Sequence, residues 1–324
     1  MPATTNTNEP YSTRSPVLFL IFNRPEPAKV VFEKIRAARP ARLHVAADGP
    51  RADRANEAAL CRQTRDIVKN VDWPCETKTL FREQNLGCKE AVSSALDWFF
   101  AAEPEGIILE DDCVPSPDFF YFCDTLLEKY RDDPRIRHIA GSNFQRGIRR
   151  GDASYYFSHL THIWGWASWR RVWKDYDKTL AALDETKAAA AFREAYVEPL
   201  VVEEWMAIIK CLKAGKIDTW DYQLNTINLM SGGLCVIPNT NLVTNIGFGS
   251  GATHTHDPDN KNANMPAGRL GALAHPAPDE FKACREADVF TQGNDFNIER
   301  KKKKLRSLRH RLKIRLKKIL RIPW

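Results

Sequence analysis

The sequence lacks hydrophobic segments of the roughly 18 to 20 residues that a membrane-spanning helix requires. Its longest apolar run covers residues 17–22, and the polar N-terminus has no apolar segment of the kind found in secretory signals. None of the eight cysteines belongs to a C-x-x-C pair, so the spacings of zinc ribbons and thioredoxins are absent. We therefore expect a reduced, cytoplasmic chain.

Acidic residues are missing from the C-terminus, where the basic character is concentrated. The chain of 324 residues has a formal net charge of +7, but residues 300–324 hold 13 of its 48 Lys and Arg residues and no acid. The remainder has 35 basic against 41 acidic residues, so charge does not indicate a nucleic-acid-binding surface there. Hydrophobic residues make up 43% and charged residues 27%, which excludes disorder of the whole chain.

Short apolar segments alternate with amphipathic ones along the N-terminal half. The pattern predicts strands at residues 16–22, 43–47, 77–81, 106–109 and 136–140, with helices between them. This alternation predicts an α/β fold with a mostly parallel central sheet. We expect residues 1–15 to be disordered, 16–256 to form one large domain, 257–299 to be an extension or linker, and 300–324 to form a basic amphipathic helix.

The strongest local signal is Glu110-Asp111-Asp112, which directly follows an apolar strand. Ligands of parallel sheets gather beyond the carboxyl ends of the strands. Three adjacent carboxylates repel one another unless a cation lies between them, and Mg²⁺ and Mn²⁺ prefer such oxygen ligands. Alternation along the chain would put Glu110 and Asp112 on one side and Asp111 on the other, and Asp112 is the first choice for the metal ligand. The alternative is a solvated acidic turn ahead of the helix at Pro117.

A strand that ends in Glu-Asp-Asp resembles the D-x-D-type motif of nucleotide-sugar-dependent glycosyltransferases with the GT-A fold. The nearest resemblance is to N-acetylglucosaminyltransferase I-like enzymes and to related bacterial transferases, over about residues 16–256. It implies that Asp112 contacts a metal that bridges the donor diphosphate, and that Glu110 and Asp111 contact the ribose or the sugar.

Other predicted strand ends agree with this resemblance. Asn23 and Arg24 resemble a turn in which a basic residue contacts the nucleotide. Asp48 resembles an aspartate that binds the uracil ring, although Asp-Gly also favours a plain turn. Arg82 and Asn85 precede a helix N-terminus suited to an anion, and a helix start without a ligand is the alternative.

Four of the nine tryptophans fall within ten positions, in a segment (residues 151–180) that we expect to be irregular. Aromatic faces stack on sugar rings, so Trp164 and Trp166 are predicted to line the donor-sugar or acceptor pocket. Core packing is the alternative. Trp169 and Trp173 lie four positions apart, which favours one helix face in the core.

Asp221 opens a stretch with helical apolar spacing, and the resemblance implies that a Trp-Asp at this place supplies the catalytic base. A helix N-cap is the competing interpretation, and Asp218 and Glu204 are the reserve candidates. A Gly-rich segment at residues 245–256 is predicted to be a closing loop, in which the resemblance implies that His254 contacts the metal or the phosphate.

Residues 300–324 combine basic residues with Leu and Ile at three- and four-residue steps. This pattern predicts a cationic amphipathic helix on an anionic membrane surface, and hence peripheral association with the inner face of the membrane. Nucleic-acid binding and a solvated charged tail are the alternatives.

These features predict a metal-dependent glycosyltransferase of hexosyltransferase type, active in cell-envelope polysaccharide biosynthesis. It would use Mn²⁺ or Mg²⁺ to move a sugar from a nucleoside diphosphate, UDP being the expected one, to a hydroxyl of a glycan or lipid-linked acceptor. We expect inversion at the anomeric carbon, with retention left open, and no nucleic-acid partner. One rival is a nucleotidyltransferase of similar fold, against which the absence of glycine from residues 22–27 counts. The other is a non-catalytic membrane or nucleic-acid adaptor that uses the basic tail.

Overall fold

Strands and helices alternate along the chain, which the computed structural model describes at residues 11–248 and 260–307. The strands there are β1 (Val17–Ile21), β2 (Arg42–Ala47), β3 (Glu76–Phe81), β4 (Glu105–Glu110), β5 (Cys113–Pro115), β6 (Ile136–Ala140), β7 (Tyr155–Ser158), β8 (Trp166–Trp169), β9 (Leu234–Pro238) and β10 (Val243–Asn245). The helices are α1 (Pro25–Ala38), α2 (Glu57–Arg65), α3 (Cys88–Ala102), α4 (Pro117–Lys129), α5 (Arg170–Trp173), α6 (Glu185–Ala195), α7 (Pro199–Lys213), α8 (Asp221–Met230) and α9 (Arg285–Asp295). Residues 298–307 are also helical. Within these ranges, no helix has the length and apolar character needed to cross a bilayer.

Eight of the strands form one mixed sheet in the order β3-β2-β1-β4-β8-β6-β9-β7. Parallel pairing joins β3 to β2, β2 to β1, β1 to β4, and β6 to β9. Since β8 is antiparallel to both β4 and β6, these two strands also point the same way. The carboxyl ends of six strands therefore lie along one edge, which confirms the predicted α/β fold with a mostly parallel sheet.

The centre of the sheet is buried on both faces. Every residue of β1 is buried, as expected for a parallel strand covered by helices on both sides. Helix α1 begins at Pro25. Proline is favoured at the first helical position because the N–H that it lacks would have no partner within the helix. The helix buries Val31, Phe32 and Ile35. These contacts place the β1–α1 turn at the carboxyl edge of the sheet.

The sequence predicted that residues 151–180 are irregular. The structure shows instead that they contain the strands β7 and β8. Both strands are buried at every position, so neither has the polar–apolar alternation that marks a half-buried strand. Trp169 and Trp173 are core residues as predicted, being 2% and 5% exposed. However, Trp169 ends a strand that lies between β4 and β6 and does not share a helix with Trp173.

The segments that flank residues 16–256 contact the strands and helices of the sheet region. Residues 11–15 are attached to the domain, since the backbone N–H of Ser15 donates to Asp124 and that of Thr13 donates to the carbonyl of Ala38. The segment expected to be an extension or linker includes α9, in which the buried carboxylate of Asp288 accepts a hydrogen bond from Ser158 of β7. Within the described residues, both segments therefore make hydrogen bonds to elements of the sheet or its helices.

Candidate active site at the carboxyl edge of the sheet

The three consecutive acids stand where β4 leaves the sheet. Glu110 ends β4 opposite Leu20 of β1, and the chain enters β5 at Cys113. Strand β5 pairs antiparallel with β10, and the N–H of Ile246 donates to the carbonyl of Asp112 over 2.9 Å. The backbone carrying the acids is thus held from both sides, so their carboxylates occupy defined positions.

Arg24, one of the predicted nucleotide contacts, is the counter-ion of this cluster. Its Nη2 contacts the carboxylate of Asp111 and lies 2.9 Å from Oδ2 of Asp112. Arg24 immediately precedes α1, so the β1–α1 turn delivers its guanidinium to the end of the neighbouring strand β4. The two carboxylates hold the pKa of Arg24 above its usual range even though burial opposes this.

One guanidinium does not balance three carboxylates. Oε1 of Glu110 and Oδ2 of Asp111 are buried and have no hydrogen-bond partner in the parts of the chain that the structure describes. Burial raises the pKa of Glu110, and the neighbouring charges of Asp112 and Asp111 raise it further. Burial also raises the pKa of Asp111, against the opposing effect of Arg24. The raised pKa values mean that ionisation of these two carboxyl groups is disfavoured, and a second cation would favour their ionised forms.

The donor set of this cluster fits a hard divalent cation. Carboxylate oxygens suit Mg²⁺ and Mn²⁺, which are commonly bound by one or two protein carboxylates together with water and phosphate oxygens. Residues 11–248 and 260–307 contain no group of three or more His, Cys, Asp or Glu side chains arranged as a complete metal site. An ion held by one or two of these carboxylates would complete its coordination with other ligands, such as water or phosphate oxygens. His254, the other predicted ligand, lies outside the described residues.

Asp48 holds the loop between β3 and α3 in place. Its carboxylate accepts hydrogen bonds from the backbone N–H groups of Gly49, Leu86 and Gly87, and from the side-chain amide of Asn85 over 2.8 Å. A carboxylate offers about four lone-pair positions, so these donors occupy it. A uracil base would have to replace one of these bonds to be read by Asp48.

Arg82 and Asn23 lie on the same edge and differ in what they contact. Nη2 of Arg82 donates to the hydroxyl of Ser94 over 2.7 Å, and no carboxylate in the described chain pairs with this half-buried guanidinium. The side-chain amide of Asn23 donates to Glu57 over 2.8 Å. Arg82 is thus the more available of the two for an anionic ligand.

Asp221 lies at the start of α8 and does not cap it. The N-cap position belongs to Trp220, and Asp221 is the first helical residue, so the competing N-cap interpretation was wrong. Its carboxylate accepts a hydrogen bond from the hydroxyl of Thr219, and its charge contributes to the raised pKa of Glu110. Asp221 is therefore near enough to Glu110 for the two charges to interact.

The reserve candidates for a base have structural partners instead. The carboxylate of Asp218 accepts hydrogen bonds from the N–H groups of Cys88 and Lys89, so it caps α3 from a distant part of the chain. Glu204 lies 2.7 Å from Nζ of Lys301. Neither carboxylate is as free to accept a proton from a ligand as that of Asp221.

The two tryptophans predicted to line a pocket have different surroundings. Trp166 is fully buried and stacks on Trp220 with ring centroids 5.6 Å apart, so it supports the residue that precedes Asp221. Trp164 is half-buried and makes edge contacts with Phe144 and Phe248 at 5.0 and 5.6 Å.

Gly247 was not singled out from the sequence, yet it contacts the acidic cluster. A Cβ atom at this position would lie 1.9 Å from Oδ2 of Asp112, so only glycine allows the chain to pass there. The Gly-rich composition of residues 245–256 was the available signal, and it was interpreted as a closing loop. Cys88 was also missed: its pKa is raised by burial and by the nearby charges of Glu110 and Asp221.

No family model matches the sequence, and a search of curated proteins returns no match. Among solved structures, the chain is similar to HddC from Yersinia pseudotuberculosis at 12% identity, with a TM-score of 0.32 over 50% of this chain and 80% of that chain. It is also similar to 4-diphosphocytidyl-2C-methyl-D-erythritol synthase from Anaerococcus prevotii (10% identity, TM-score 0.32, 52% and 77%). A UDP-glucose pyrophosphorylase complexed with UDP-glucose is matched at 9% identity (TM-score 0.30, 50% and 78%).

Proposed function

We propose that this protein transfers a sugar from a nucleoside diphosphate, UDP being the expected carrier, to the hydroxyl of a glycan or lipid-linked acceptor. One observation supports this more than any other. Within the described residues, the acidic cluster Glu110–Asp112 at the carboxyl edge of the sheet has two carboxylate oxygens without a hydrogen-bond partner and Arg24 as its counter-ion, and the charge of a further carboxylate, Asp221, acts on Glu110.

The donor nucleotide would lie along the ends of β1, β2 and β3. Arg24 and Arg82 would contact the diphosphate, since both guanidinium groups reach this edge and Arg82 has no carboxylate partner in the described chain. Asn23, Asp48 and Asn85 would form the wall against the base and ribose. Because Asp48 already holds four donors, its main effect would be to keep this wall rigid.

A divalent cation would be held by Asp112, while Glu110 and Asp111 would contact the ribose or the sugar. When bound, Mg²⁺ or Mn²⁺ neutralises the charge that develops on the leaving diphosphate. Arg24 complements this role by keeping the carboxylates of Asp111 and Asp112 in place. His254 would add a contact to the metal or the phosphate from the closing loop.

Asp221 would act as the base. The acceptor oxygen forms a bond to the anomeric carbon, the bond from that carbon to the diphosphate oxygen breaks, and the acceptor proton passes to the carboxylate of Asp221. The diphosphate leaves with the bonding electron pair, and attack opposite to it inverts the anomeric carbon. Trp164 would form a side of the sugar pocket, and the buried Trp166 would position Asp221 through Trp220.

Calorimetric titration of UDP, GDP and CMP, with and without Mn²⁺, tests this proposal. We expect one nucleotide to bind only with the metal, and Asp112→Asn to weaken that binding at least about tenfold. Turnover of the matching sugar nucleotide would then be assayed with acceptor mixtures. Binding of a nucleoside triphosphate together with exchange of pyrophosphate would favour the rival nucleotidyltransferase. Failure of the folded protein to bind any nucleotide would contradict both activities.

A further inference from the structure

A cavity of about 480 Å³ opens between the start of α7 and the C-terminal helices. None of the residues proposed above for sugar transfer lines it. The apolar part of its walls comes from both sides of the opening: Tyr196, Val197, Val201, Val289, Phe290 and Ile298. The cavity is large enough to take part of a hydrocarbon chain.

Exposed valines mark the opening of this cavity. Val197 is 55% exposed and Val289 is 46% exposed, which places both among the most exposed large hydrophobic side chains of the described residues. Two such side chains on opposite walls of an apolar cavity keep apolar surface in water, and covering that surface is favourable. The opening therefore favours an apolar occupant.

Charged side chains of both signs line the same opening: Lys261, Arg300 and Lys302 with Glu198, Asp288 and Glu299. Lys302 pairs with Glu198 and lies 3.7 Å from Glu299, and Asp288 accepts a hydrogen bond from Ser158. No carboxylate of residues 11–248 or 260–307 lies within ion-pair distance of Lys261 or Arg300, so these two cations remain available to an anion. The helix continues with exposed side chains at residues 303–306, three of which are basic and one of which is leucine.

We propose that this cavity binds the hydrocarbon chain of an anionic membrane lipid, with the phosphate of the lipid against Arg300 and Lys261. A free phosphate ion would use the cations and leave the valines in water, and a neutral amphiphile would do the reverse. An anionic lipid has both a hydrocarbon chain to cover the valines and a phosphate to contact the cations. Residues 300–324, with 13 basic residues and no acid, extend the same preference along the chain.

Decyl phosphate is a suitable single-chain probe, titrated below its micellar concentration into the full chain. We expect binding that Val289→Asp and Val197→Asp each weaken about tenfold, because each places a charge where the hydrocarbon enters. Val30→Asp is the matched control, since Val30 is 44% exposed on α1 and the charge change is identical. Thermal unfolding of each variant would verify that it remains folded.

Several outcomes would overturn the proposal. These are equal losses in Val289→Asp and Val30→Asp, displacement of the probe by equimolar inorganic phosphate, equal affinity for decyl maltoside, or no binding by the intact chain. The last result would leave the cavity to residues 308–324 or to a second copy of the chain.

A second measurement uses phosphatidylcholine vesicles with and without phosphatidylglycerol. There, Val289→Asp should reduce binding to the anionic vesicles while Val30→Asp does not.

Discussion

Nη2 of Arg24 lies 2.9 Å from Oδ2 of Asp112 and also contacts the carboxylate of Asp111. The β1–α1 turn and the end of β4 are therefore joined by an ion pair whose acidic partners are almost completely buried. Removing the only cation beside a buried carboxylate strongly destabilises the folded state, whereas an exposed ion pair contributes little to stability. Substitution of Arg24 therefore tests whether this ion pair stabilises the acidic cluster.

Arg24→Gln should lower the free energy of unfolding by about 3 kcal/mol, because it leaves two buried carboxylates without a counter-ion. Urea denaturation monitored by tryptophan fluorescence would measure the change. Arg36→Gln is the control, since Arg36 is also paired with an aspartate but is exposed, and it should leave the denaturation midpoint unchanged. Combining Arg24→Gln with Asp111→Asn should recover part of the loss. Equal effects of the two single substitutions would contradict a special role for Arg24.

Gly247→Ala should weaken Mn²⁺-dependent binding of the nucleotide roughly tenfold or more, since the new methyl group would displace the carboxylate of Asp112. Titration calorimetry gives the affinity. Gly293→Ala is the matched change, because nothing lies within 4 Å of a Cβ atom there. It should leave the nucleotide affinity unaltered and, as a helical position, raise stability by up to about 1 kcal/mol. Unaltered affinity in Gly247→Ala would show that Asp112 is not a ligand.

Asp221→Asn should reduce turnover by about two to four orders of magnitude while binding of the donor persists, because the amide cannot accept the acceptor's proton. Steady-state kinetics and donor titration together separate the two effects. Asp218→Ala should instead lower stability by about 1 kcal/mol through loss of the cap on α3. If Asp221→Asn retained full turnover, another group would have to be the base.

Acidification should destabilise the fold through its buried histidines. Burial lowers the pKa of His138 to about 3 and that of His162 to about 4. In the unfolded chain, both histidines bind protons below about pH 6.5. Between these pH values they are neutral in the folded state and protonated in the unfolded state. Their contribution is complete above pH 6.5 and is lost as the pH falls, at about 1.4 kcal/mol per pH unit for each histidine. His138→Gln should reduce the slope of stability against pH, between pH 4.5 and 6, by that amount. An unchanged slope would indicate that His138 is protonated in the folded protein.

Much of the fold was predictable because buried parallel strands are short continuous apolar runs. This pattern placed β1, β2 and β4 correctly and located Glu110–Asp112 at the end of β4. The two strands within residues 151–180 were not predicted, because central strands rich in aromatic residues show neither alternation nor helical spacing. The predictions for His254 and for residues 308–324 fall outside the described residues.

The sequence by itself determined which side chains stand at the ends of strands, because a local apolar pattern ends where the acids begin. The tertiary structure decided how those side chains are used. It paired Arg24 with an aspartate 87 positions away, and it made Asp218 the cap of a helix 130 positions earlier in the chain. It also placed Trp220, and not Asp221, at the N-cap of α8. Such pairings depend on the order of strands in the sheet and on which loops meet at its edge, and no local periodicity encodes these relations.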